Sequence, residues 1–422
     1  MLHIAISSAA VLIFLRKAPF TIYFKLLFIF GYFIFFEYNL ISRNYNLGIL
    51  FLFAALSFYE YRKSKFIIFC LLLGLANNTH AIFLVATSSI VFIELLDTFR
   101  SIEKNNSLRY YSGLSIFFLL TTLALVQIIP PPDTTFFQRG SDISIIENIT
   151  RSAVSFFKGI VAIPDFRTLQ FWNSHFIINV SKPTAAILSA FSLFVPALFF
   201  HRNRLILLYS YLAILGTMVF FFVTQLSAYR YFGIHYLIIV VGLWMEQYHS
   251  RSTIGHLPFI PSTTLKKAKN ILIYSILVLH LISGVISYSI DLAHPFSGSK
   301  QTIQFLRDNG LDKKEIITKW CGGTSLSSYL KKPIYFASLE SYQSYCAWDY
   351  EIEENTLSDG NLISAIEKRI NKESQSVIYI SLVPLDLSSF KSINESVQFN
   401  LLERFIPSVV NKGSYYIYEV SK

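Results

Sequence analysis

The sequence predicts a polytopic α-helical membrane bundle followed by a C-terminal soluble α/β domain. Only 15% of its 422 residues are charged, and 53% are hydrophobic, whereas soluble domains carry about 25% charged residues. Apolar runs of near-spanning length recur through residues 1–290 and shrink to strand length in residues 291–422. The bundle is therefore expected to end at residue 290, where the soluble domain begins.

The candidate spans are apolar runs separated by short polar connections, and about ten can be identified. Some of them are short for a bilayer, which needs roughly 17–25 apolar residues. The runs are Leu2–Leu15, Phe20–Phe36, Leu47–Tyr61, Phe66–Asn77, Ala81–Leu96, Tyr110–Ile129, Pro183–Phe200, Leu205–Val223, Phe232–Trp244 and Ile271–Ile290.

The short connections alternate between rich and poor in Lys and Arg, which is the positive-inside pattern of membrane proteins. Arg43, the turn before His80, Arg230 and the tail after Ile290 then share the non-cytoplasmic side. The net charge of +10 orients the bundle, and nucleic acid is not an expected partner. The basic residues follow every second run: Arg16, Lys17, Arg62, Lys63, Lys65, Arg100, Lys104, Arg109, Arg202, Arg204, Arg251, Lys266, Lys267 and Lys269.

Residues 130–182 are expected to form an outer loop region. Pro130–Pro132 end the sixth span, since proline does not continue a helix. Ile145–Lys158 is amphipathic, which favours a helix lying in the membrane interface.

The tail has the pattern of a small, partly parallel α/β domain. Ser299–Asn309 is predicted as a helix that stops at Gly310. Cys321 and Cys346 could form a disulfide if the domain is exported. Cys70, in the bundle, is expected to be an inert packing residue. Strands are predicted at Glu315–Trp320, Pro333–Ala337, Ser376–Leu382 and Ser414–Val420, and further helices at Gly360–Asn371 and Val397–Ile406.

The polar stretch between the second and third runs is the first candidate site, and it is expected to be a turn at the water interface. It contains Glu37, Arg43 and Tyr45. An ionisable cluster at the mouth of a helix bundle is a functional hypothesis. The alternative is an interfacial anchor in which Arg43 reaches towards the lipid headgroups.

Two further outward turns carry candidate residues. Asn78 and His80 either satisfy backbone groups at helix ends or act on a ligand, with His80 as proton carrier or phosphate donor. Arg230 lies at the start of the ninth span and His235 about one turn inside it. Two arginines reaching one cavity would suit a phosphate, which a guanidinium binds as a fork.

Metal and cofactor sites are not indicated. The sequence has no His-x-x-x-His, Cys-x-x-Cys or Asp-x-Asp spacing. The carboxylates of the outer loop, such as Asp133 and Asp165, have the chemistry to bind a divalent ion, but a solvated loop is the simpler interpretation.

Three short motifs resemble bacterial membrane proteins of the GT-C glycosyltransferase superfamily. They are the Glu-Tyr-x-x-x-Ser-Arg-Asn-Tyr stretch at Glu37–Tyr45, the Arg-x-x-Gly turn that opens Arg230–Trp244, and Pro-Phe-Ser-x-x-Lys at Pro295–Lys300. The superfamily includes the protein O-mannosyltransferases and the lipid A aminoarabinose transferase. The resemblance implies a sugar transferred from a polyprenyl-phosphate carrier on the outer face of the bacterial inner membrane.

The resemblance also implies site roles and a missing part. Arg43 corresponds to the phosphate-binding arginine, and Arg230 would assist it. In this superfamily the catalytic carboxylate lies in the first outer loop, which the chain is expected to lack together with the first span, so that Glu37 is left as a poor substitute. The alternatives are a transporter or flippase for a lipid-linked glycan, or a truncated, catalytically silent membrane subunit.

Overall fold

The computed structural model describes most of the chain, and its contacts divide it into two compact units. The first unit covers described residues of 1–129, 144–165 and 173–289, and the second covers those of 166–172 and 290–422. The described residues are 1–41, 44–100, 107–129, 144–249, 262–319, 321–346, 358–373, 376–386, 396–406, 409–410 and 413–422.

The first unit is built from helices. One of them is a π-helix, Phe33–Leu40, which follows α2. The α-helices of this unit are α1 Leu2–Lys17, α2 Ile22–Ile29, α3 Tyr45–Ser57, α4 Phe66–Asn77, α5 Phe83–Arg100, α6 Ser107–Ile128, α7 Ile145–Ala153, α8 Ser155–Ile160, α9 Phe176–Val180, α10 Lys182–Ser192, α11 Val195–Phe200, α12 Arg204–Thr224, α13 Tyr229–Glu246 and α14 Ser262–Ala293.

Four helical segments in the described residues are long and apolar enough to cross a membrane. A fifth is obtained if α2 and the π-helix, which are bent by 46° against each other, count as one span. Helices α3 and α4 are apolar but shorter, at 13 and 12 residues. The four segments are Leu108–Ile128, Lys182–Phe200, Arg204–Thr224 and Thr263–Ala293.

Helix α13 lies at the centre of the first unit. All of its side chains from Phe232 to Met245 are buried. A helix that is apolar on every face is stable only when other elements surround it. Small residues permit this packing: a Cβ added to Gly233 would lie 2.3 Å from the Tyr38 hydroxyl and 2.7 Å from the Phe33 ring.

Helices α3 and α13 run in the same direction and define two ends of the bundle. Tyr45 and Tyr231 meet at their starts, with ring centroids 6.3 Å apart, and the Tyr59 hydroxyl lies 2.7 Å from His249 Nε2 just beyond their ends. We call these the Arg230 end and the Arg62 end. Eighteen residues of α13 extend about 27 Å, close to the roughly 30 Å of a bilayer's hydrocarbon core.

Basic residues from the predicted cytoplasmic connections collect at the Arg62 end. Arg62 Nε donates to Glu94 Oε2 at 2.6 Å, and Arg109 of α6 donates to the Ser64 carbonyl at 3.2 Å. Lys269 of α14 donates to Glu246, next to the end of α13. The described basic residues Arg62, Arg109 and Lys269 therefore lie at one end of the bundle.

Helix α7 turns its polar side towards the protein. Asn148 Nδ2 donates to the Phe222 carbonyl at 2.8 Å, and Ser152 Oγ donates to the Met218 carbonyl. The isoleucines of α7 lie on the opposite side and are exposed: Ile145, Ile146 and Ile149. This apolar outer face fits the interfacial helix predicted from the sequence.

The second unit is a mixed α/β domain. Its sheet has the order β3-β2-β1-β4-β6-β5, with β1 parallel to both β2 and β4 and the remaining pairs antiparallel. The elements are α15 Ser299–Asp308, β1 Ile316–Thr318, α16 Thr324–Leu330, β2 Ile334–Phe336, β3 Ser341–Gln343, α17 Asp359–Glu373, β4 Val377–Ser381, β5 Gln398–Phe405 and β6 Tyr415–Ser421.

The predicted elements of this domain are confirmed with one error, and two elements, helix α16 and strand β3, were not predicted. Val397–Ile406, predicted as a helix, is wrong: this segment forms strand β5, paired with β6. Its register shifts between Leu401 and Glu403, and such a bulge interrupts the strict alternation by which a strand is recognised. Gly310 ends the α15 region with φ 66°, as expected for a glycine there.

The two cysteines of the domain form a disulfide. Cys321 and Cys346 are bonded, with their Cα atoms 4.9 Å apart. The pairing that the sequence left open is therefore present in the structure. Cys70, by contrast, is free and buried, in agreement with a packing role.

Candidate functional site

The polar stretch around Glu37 is helical rather than a turn at the water interface. Residues Phe33–Leu40 continue the chain as a π-helix, a form found frequently at functional sites. Its bend against α2 coincides with a close helix approach: a Cβ added to Gly284 of α14 would lie 2.7 Å from the Phe30 carbonyl oxygen. Turn residues are found at Ile41 and Asn44, on either side of residues 42–43, which lie outside the described part of the chain.

Glu37 is a buried side chain. It is 1% exposed, and Tyr32 Oη donates to its Oε1 at 2.7 Å. A carboxylate in this position is stabilised by a phenol donor and shielded from solvent. The sequence predicted that the Glu37 carboxylate faces water at a turn. This prediction is wrong, because Glu37 lies in the π-helix and is buried in the bundle.

Arg230, Tyr45, Tyr231 and His80 form a cluster at the Arg230 end. Arg230 Nε donates to Tyr45 Oη at 3.3 Å and its NH2 group donates to Tyr231 Oη at 3.2 Å. The guanidinium lies over the Tyr231 ring, 4.7 Å from its centroid. The His80 ring is 4.7 Å from the Tyr45 ring and 5.8 Å from the Tyr231 ring. We call these four residues the Arg230 cluster.

The Arg230 cluster is fixed to the π-helix and to the preceding turns. Tyr38 Oη donates to the Arg230 carbonyl at 2.8 Å, and the Tyr38 and Tyr45 rings are 5.3 Å apart. Asn44 Nδ2 donates to the Thr79 carbonyl at 2.6 Å, which joins the turn before α3 to the turn after α4. Three separate parts of the sequence thus converge on Arg230.

The guanidinium of Arg230 is the main charge of this cluster. Arg230 is half-buried. Among the described residues, its guanidinium donates hydrogen bonds to the phenols of Tyr45 and Tyr231, and it forms no salt bridge with a carboxylate. A partly desolvated cation bound to neutral phenols retains its attraction for an anion. The arrangement can bind a phosphate or carboxylate group.

His80 is oriented by its own turn. The backbone N–H of Ile82 donates to His80 Nδ1 at 3.2 Å. Neutral His80 in this geometry carries its proton on Nε2, which is then a hydrogen-bond donor. The side chain is thus better suited to donating to a ligand oxygen than to accepting a proton from one.

Besides Glu37, two more predicted site residues do not belong to the Arg230 cluster. Asn78 Nδ2 donates to the carbonyls of Gly74 and Leu120, each at 2.9 Å. It thus joins α4 to α6 and satisfies backbone carbonyls, which was the structural alternative for this residue. His235 is buried in α13 and its Nε2 lies 3.0 Å from Ser155 Oγ of α8. Both side chains hold helices together. Arg43 lies outside the described residues.

Tyr38 and Tyr231 are the site residues that the sequence did not single out as ligand-binding. Both flank residues that were chosen, Glu37 and Arg230. The Tyr-Arg-Tyr triplet at Tyr229–Tyr231 was the available signal, because phenols on either side of an interfacial arginine are suitable partners for its guanidinium.

Two titratable side chains near this end, outside the predicted spans, have lowered pKa values. Burial, with a smaller contribution from Arg151, lowers the pKa of Lys158 to about 8. Burial also lowers the pKa of His175 to about 4, although its Nε2 lies 2.9 Å from the Val161 carbonyl oxygen. His175 is therefore neutral at pH 7, and Lys158 loses its proton more readily than an exposed lysine.

The side chains of the described part of the chain do not form a metal site. Among those residues no group of three His, Cys, Asp or Glu side chains is arranged to hold a metal ion. The Arg230 cluster consists of one cation, two phenols and one imidazole, which is a set of anion ligands rather than cation ligands.

Comparisons with known proteins add no relative. No family model, no curated protein and no solved structure matches the chain. The functional conclusion therefore depends on the geometry of the Arg230 cluster and on the chemistry of its side chains.

Proposed function

We propose that the chain is a membrane-embedded glycosyltransferase-like protein that binds a polyprenyl-phosphate-linked sugar at the Arg230 cluster. The observation that carries the proposal is the convergence of Arg230, Tyr45, Tyr231 and His80 at the bundle end opposite the basic connections. The GT-C resemblance of the motifs around Glu37 and Arg230 points to the same ligand class.

The side chains of the cluster match the parts of such a ligand. A guanidinium binds phosphate oxygens in a bidentate manner, and the phenol groups of Tyr45 and Tyr231 add donors. The ring faces of Tyr45, His80 and Tyr231 offer apolar surface beside those donors, which suits ligands that are both apolar and polar. Arg230 would stabilise the lipid phosphate as it leaves the anomeric carbon.

The sidedness of each unit is supported by a feature of its own. Basic side chains gather at the Arg62 end, and basic connections face the cytoplasm in membrane proteins. The second unit contains the Cys321–Cys346 disulfide, and disulfides persist in oxidising compartments outside the cytoplasm. We therefore assign the Arg230 end and the second unit to the outer side of a bacterial inner membrane.

The catalytic base is the part of the reaction that separates two candidate functions. Inverting displacement requires a carboxylate that deprotonates the acceptor hydroxyl. Glu37 is 1% exposed and already accepts from Tyr32, so it suits a role in positioning Tyr32 and the π-helix. This burial favours, as the second candidate, a catalytically silent subunit that binds the lipid carrier without transferring the sugar.

Binding of the carrier tests the proposal without knowledge of the sugar. Full-length protein in lipid nanodiscs is titrated with undecaprenyl phosphate, and undecaprenol serves as the ligand without a phosphate. We expect Arg230→Gln to weaken binding of the phosphate form by about tenfold or more, because a hydrogen bond to a charged group contributes about 1.5–3 kcal/mol. Arg230→Lys should give an intermediate affinity, since it keeps the charge and loses the fork.

A matched control uses another arginine of the first unit. Arg151 is 40% exposed and pairs with Glu147 one helical turn away, so Arg151→Gln should bind undecaprenyl phosphate like the wild type. Equal affinity of wild-type protein for undecaprenol and its phosphate would overturn the proposal. Binding without transfer of labelled sugar in membranes from a complemented knockout would favour the silent subunit.

A further inference from the structure

Helix α13, which carries Arg230, begins next to an alanine. Its first residue is Tyr229, and its N-cap position is Ala228, which forms no side-chain hydrogen bond. Ser, Thr, Asp and Asn are the preferred N-cap residues, because a side-chain oxygen accepts from the first backbone N–H groups of the helix. Those groups have no partner within a helix. The start of α13 therefore needs an acceptor from another part of the chain.

Asn173 provides this acceptor. Its Oδ1 accepts from the Tyr229 backbone N–H at 2.7 Å, across 56 positions of sequence. Arg230 is the next residue after Tyr229. The contact therefore fixes the backbone directly before Arg230, although Asn173 itself lies in the segment between α8 and α9.

The backbone of Asn173 has an uncommon conformation. Its φ is 69°, in the left-handed region, which asparagine adopts more readily than most other non-glycine residues. Such residues persist where surrounding contacts hold them, and they are concentrated at functional sites. In this conformation the Asn173 side chain reaches the start of α13.

The residues after Asn173 are tied to the segment that follows α8. Ser174 Oγ accepts from the Asp165 backbone N–H at 2.8 Å. The Phe176 backbone N–H donates to the Ile163 carbonyl at 2.9 Å. These two hydrogen bonds hold the chain on the C-terminal side of Asn173, so its side chain extends to α13 from an anchored backbone.

The ring of Tyr229 is held separately from its backbone N–H. Its centroid lies 5.6 Å from the ring centroids of Tyr32 and Phe33 and 6.0 Å from that of His175. These contacts restrict the side chain, whereas the hydrogen bond to the asparagine restricts the main chain. The first residue of α13 is thus fixed at both its ring and its backbone.

We propose that Asn173 is a positioning residue of the Arg230 cluster. Its side chain holds the first turn of α13 and thereby keeps the Arg230 guanidinium at the phenols of Tyr45 and Tyr231, where the phosphate of the lipid carrier binds. The inference rests on the proposed function. If the first turn of α13 opens, the apparent affinity for the phosphate falls with the fraction of molecules that keep the turn closed. Asn173 acts in this way without contact with the ligand.

The variant Asn173→Gly removes the cap without straining the backbone, because glycine adopts the left-handed conformation readily. Full-length protein in lipid nanodiscs is titrated with undecaprenyl phosphate and with undecaprenol. We expect the variant to bind the phosphate form about fivefold more weakly than the wild type, which is the usual effect of losing one capping hydrogen bond. Binding of undecaprenol should be unchanged, since it offers no phosphate to Arg230. Wild-type affinity of the variant for undecaprenyl phosphate would overturn the inference.

The variant Asn173→Asp tests rescue of the cap. Aspartate keeps a side-chain oxygen that accepts from a helix start, and it tolerates the left-handed backbone. Asn173 is exposed, so salt at about 0.5 M screens the charge that the variant adds. Under these conditions Asn173→Asp should bind undecaprenyl phosphate like the wild type. A loss as large as that of Asn173→Gly would show that the amide itself is needed, and would contradict a positioning role.

The matched control is Asn203, the N-cap of α12. Its Oδ1 accepts from a backbone N–H in the first turn of α12 at 3.1 Å. Helix α12 runs antiparallel to α13: Phe221 packs against Phe232 near the start of α13, and a Cβ added to Gly242 would lie 3.3 Å from Ser210 Oγ. Asn203 therefore lies towards the Arg62 end, and Asn203→Ala should lower thermal stability without changing the affinity for undecaprenyl phosphate. An equal loss of affinity in this control would reduce the effect at Asn173 to general destabilisation and overturn the inference.

Hydrogen exchange of the full-length protein tests the contact without any ligand. In Asn173→Gly the backbone amides of the first turn of α13 should exchange about fivefold faster than in the wild type, whereas those of its last turn should be unchanged. Unchanged exchange in the first turn would overturn the inference. Equal affinity of the wild-type protein for undecaprenol and its phosphate would instead overturn the proposed function, so the two failures are distinguishable.

Discussion

Replacing Gly233 by alanine tests whether the contact between α13 and the π-helix holds the Arg230 cluster together. The added Cβ would lie 2.3 Å from the Tyr38 hydroxyl and 2.7 Å from the Phe33 ring. Both distances are well below van der Waals contact. The Tyr38 hydroxyl would have to leave the Arg230 carbonyl, to which it donates at 2.8 Å.

The expected cost follows from these contacts. Overpacking of a well-filled site typically costs about 1–3 kcal/mol, and the lost hydrogen bond adds about 0.5–1.5 kcal/mol. We therefore expect a lowered apparent denaturation temperature in detergent and weaker binding of undecaprenyl phosphate. Gly216→Ala is the control, because its added Cβ would meet only the Val85 Cγ1 methyl, at 2.7 Å, and a side-chain methyl shifts more easily than a packed ring.

A double-mutant cycle with Tyr38→Phe identifies the atom responsible. Removing the hydroxyl relieves the shorter of the two clashes at Gly233, so the double variant should be less destabilised than the sum of the single variants, by about 0.5 kcal/mol or more. Additive effects would show that the Tyr38 hydroxyl is not the group displaced. Unchanged stability of Gly233→Ala alone would refute the packing of α13 against the π-helix.

Three other predictions concern separate parts of the chain. Glu94→Gln should destabilise the first unit by about 1.5–3 kcal/mol, because the buried Arg62 loses a charged hydrogen-bond partner and keeps only Asp97, 3.6 Å away, as its carboxylate; thermal denaturation checks this. Replacing Cys321 and Cys346 by serine should lower the stability of the second unit by about 3.5 kcal/mol, because the disulfide closes a loop of 25 residues. In wild-type protein from cells, maleimide should label these two cysteines only after reduction. Burial lowers the pKa of His175 to about 4, so the folded protein should lose stability as the pH falls from 6.5 towards 4 and the unfolded state binds the proton first. His175→Gln should make the stability less dependent on pH in this range.

The sequence predicts the second unit well wherever periodicity and turn residues agree. The helix at α15 and its glycine stop, and the strands at β1, β2, β4 and β6, all lie where their patterns place them. Strand β5 was missed because a bulge at Leu401–Glu403 breaks the alternation, and pairing with β6 overrides the local pattern.

The site was predictable as a meeting of turns but not as a set of contacts. The alternation of basic connections placed His80 and Arg230 on one side, and the structure brings both to one end of the bundle. Sequence gives no side-chain direction, so Asn78 and His235 were chosen although they face neighbouring helices. Glu37 was misplaced because a polar residue between apolar runs resembles a turn, whereas here the π-helix continues through it.

The burial of Glu37 links the fold to the proposed chemistry. Tyr32 donates to Glu37, and the Tyr32 ring packs at 5.6 Å against the ring of Tyr229, the residue before Arg230. The Phe33 ring also stacks on the Tyr229 ring, at 5.6 Å, and touches the Tyr32 ring at 5.3 Å. A buried carboxylate is stable only with such donors around it, so the same contacts that stabilise Glu37 also fix the start of α13. Under the proposed function we therefore expect Glu37 to position Arg230 through Tyr32 and Tyr229, a supporting role that does not require contact with the ligand.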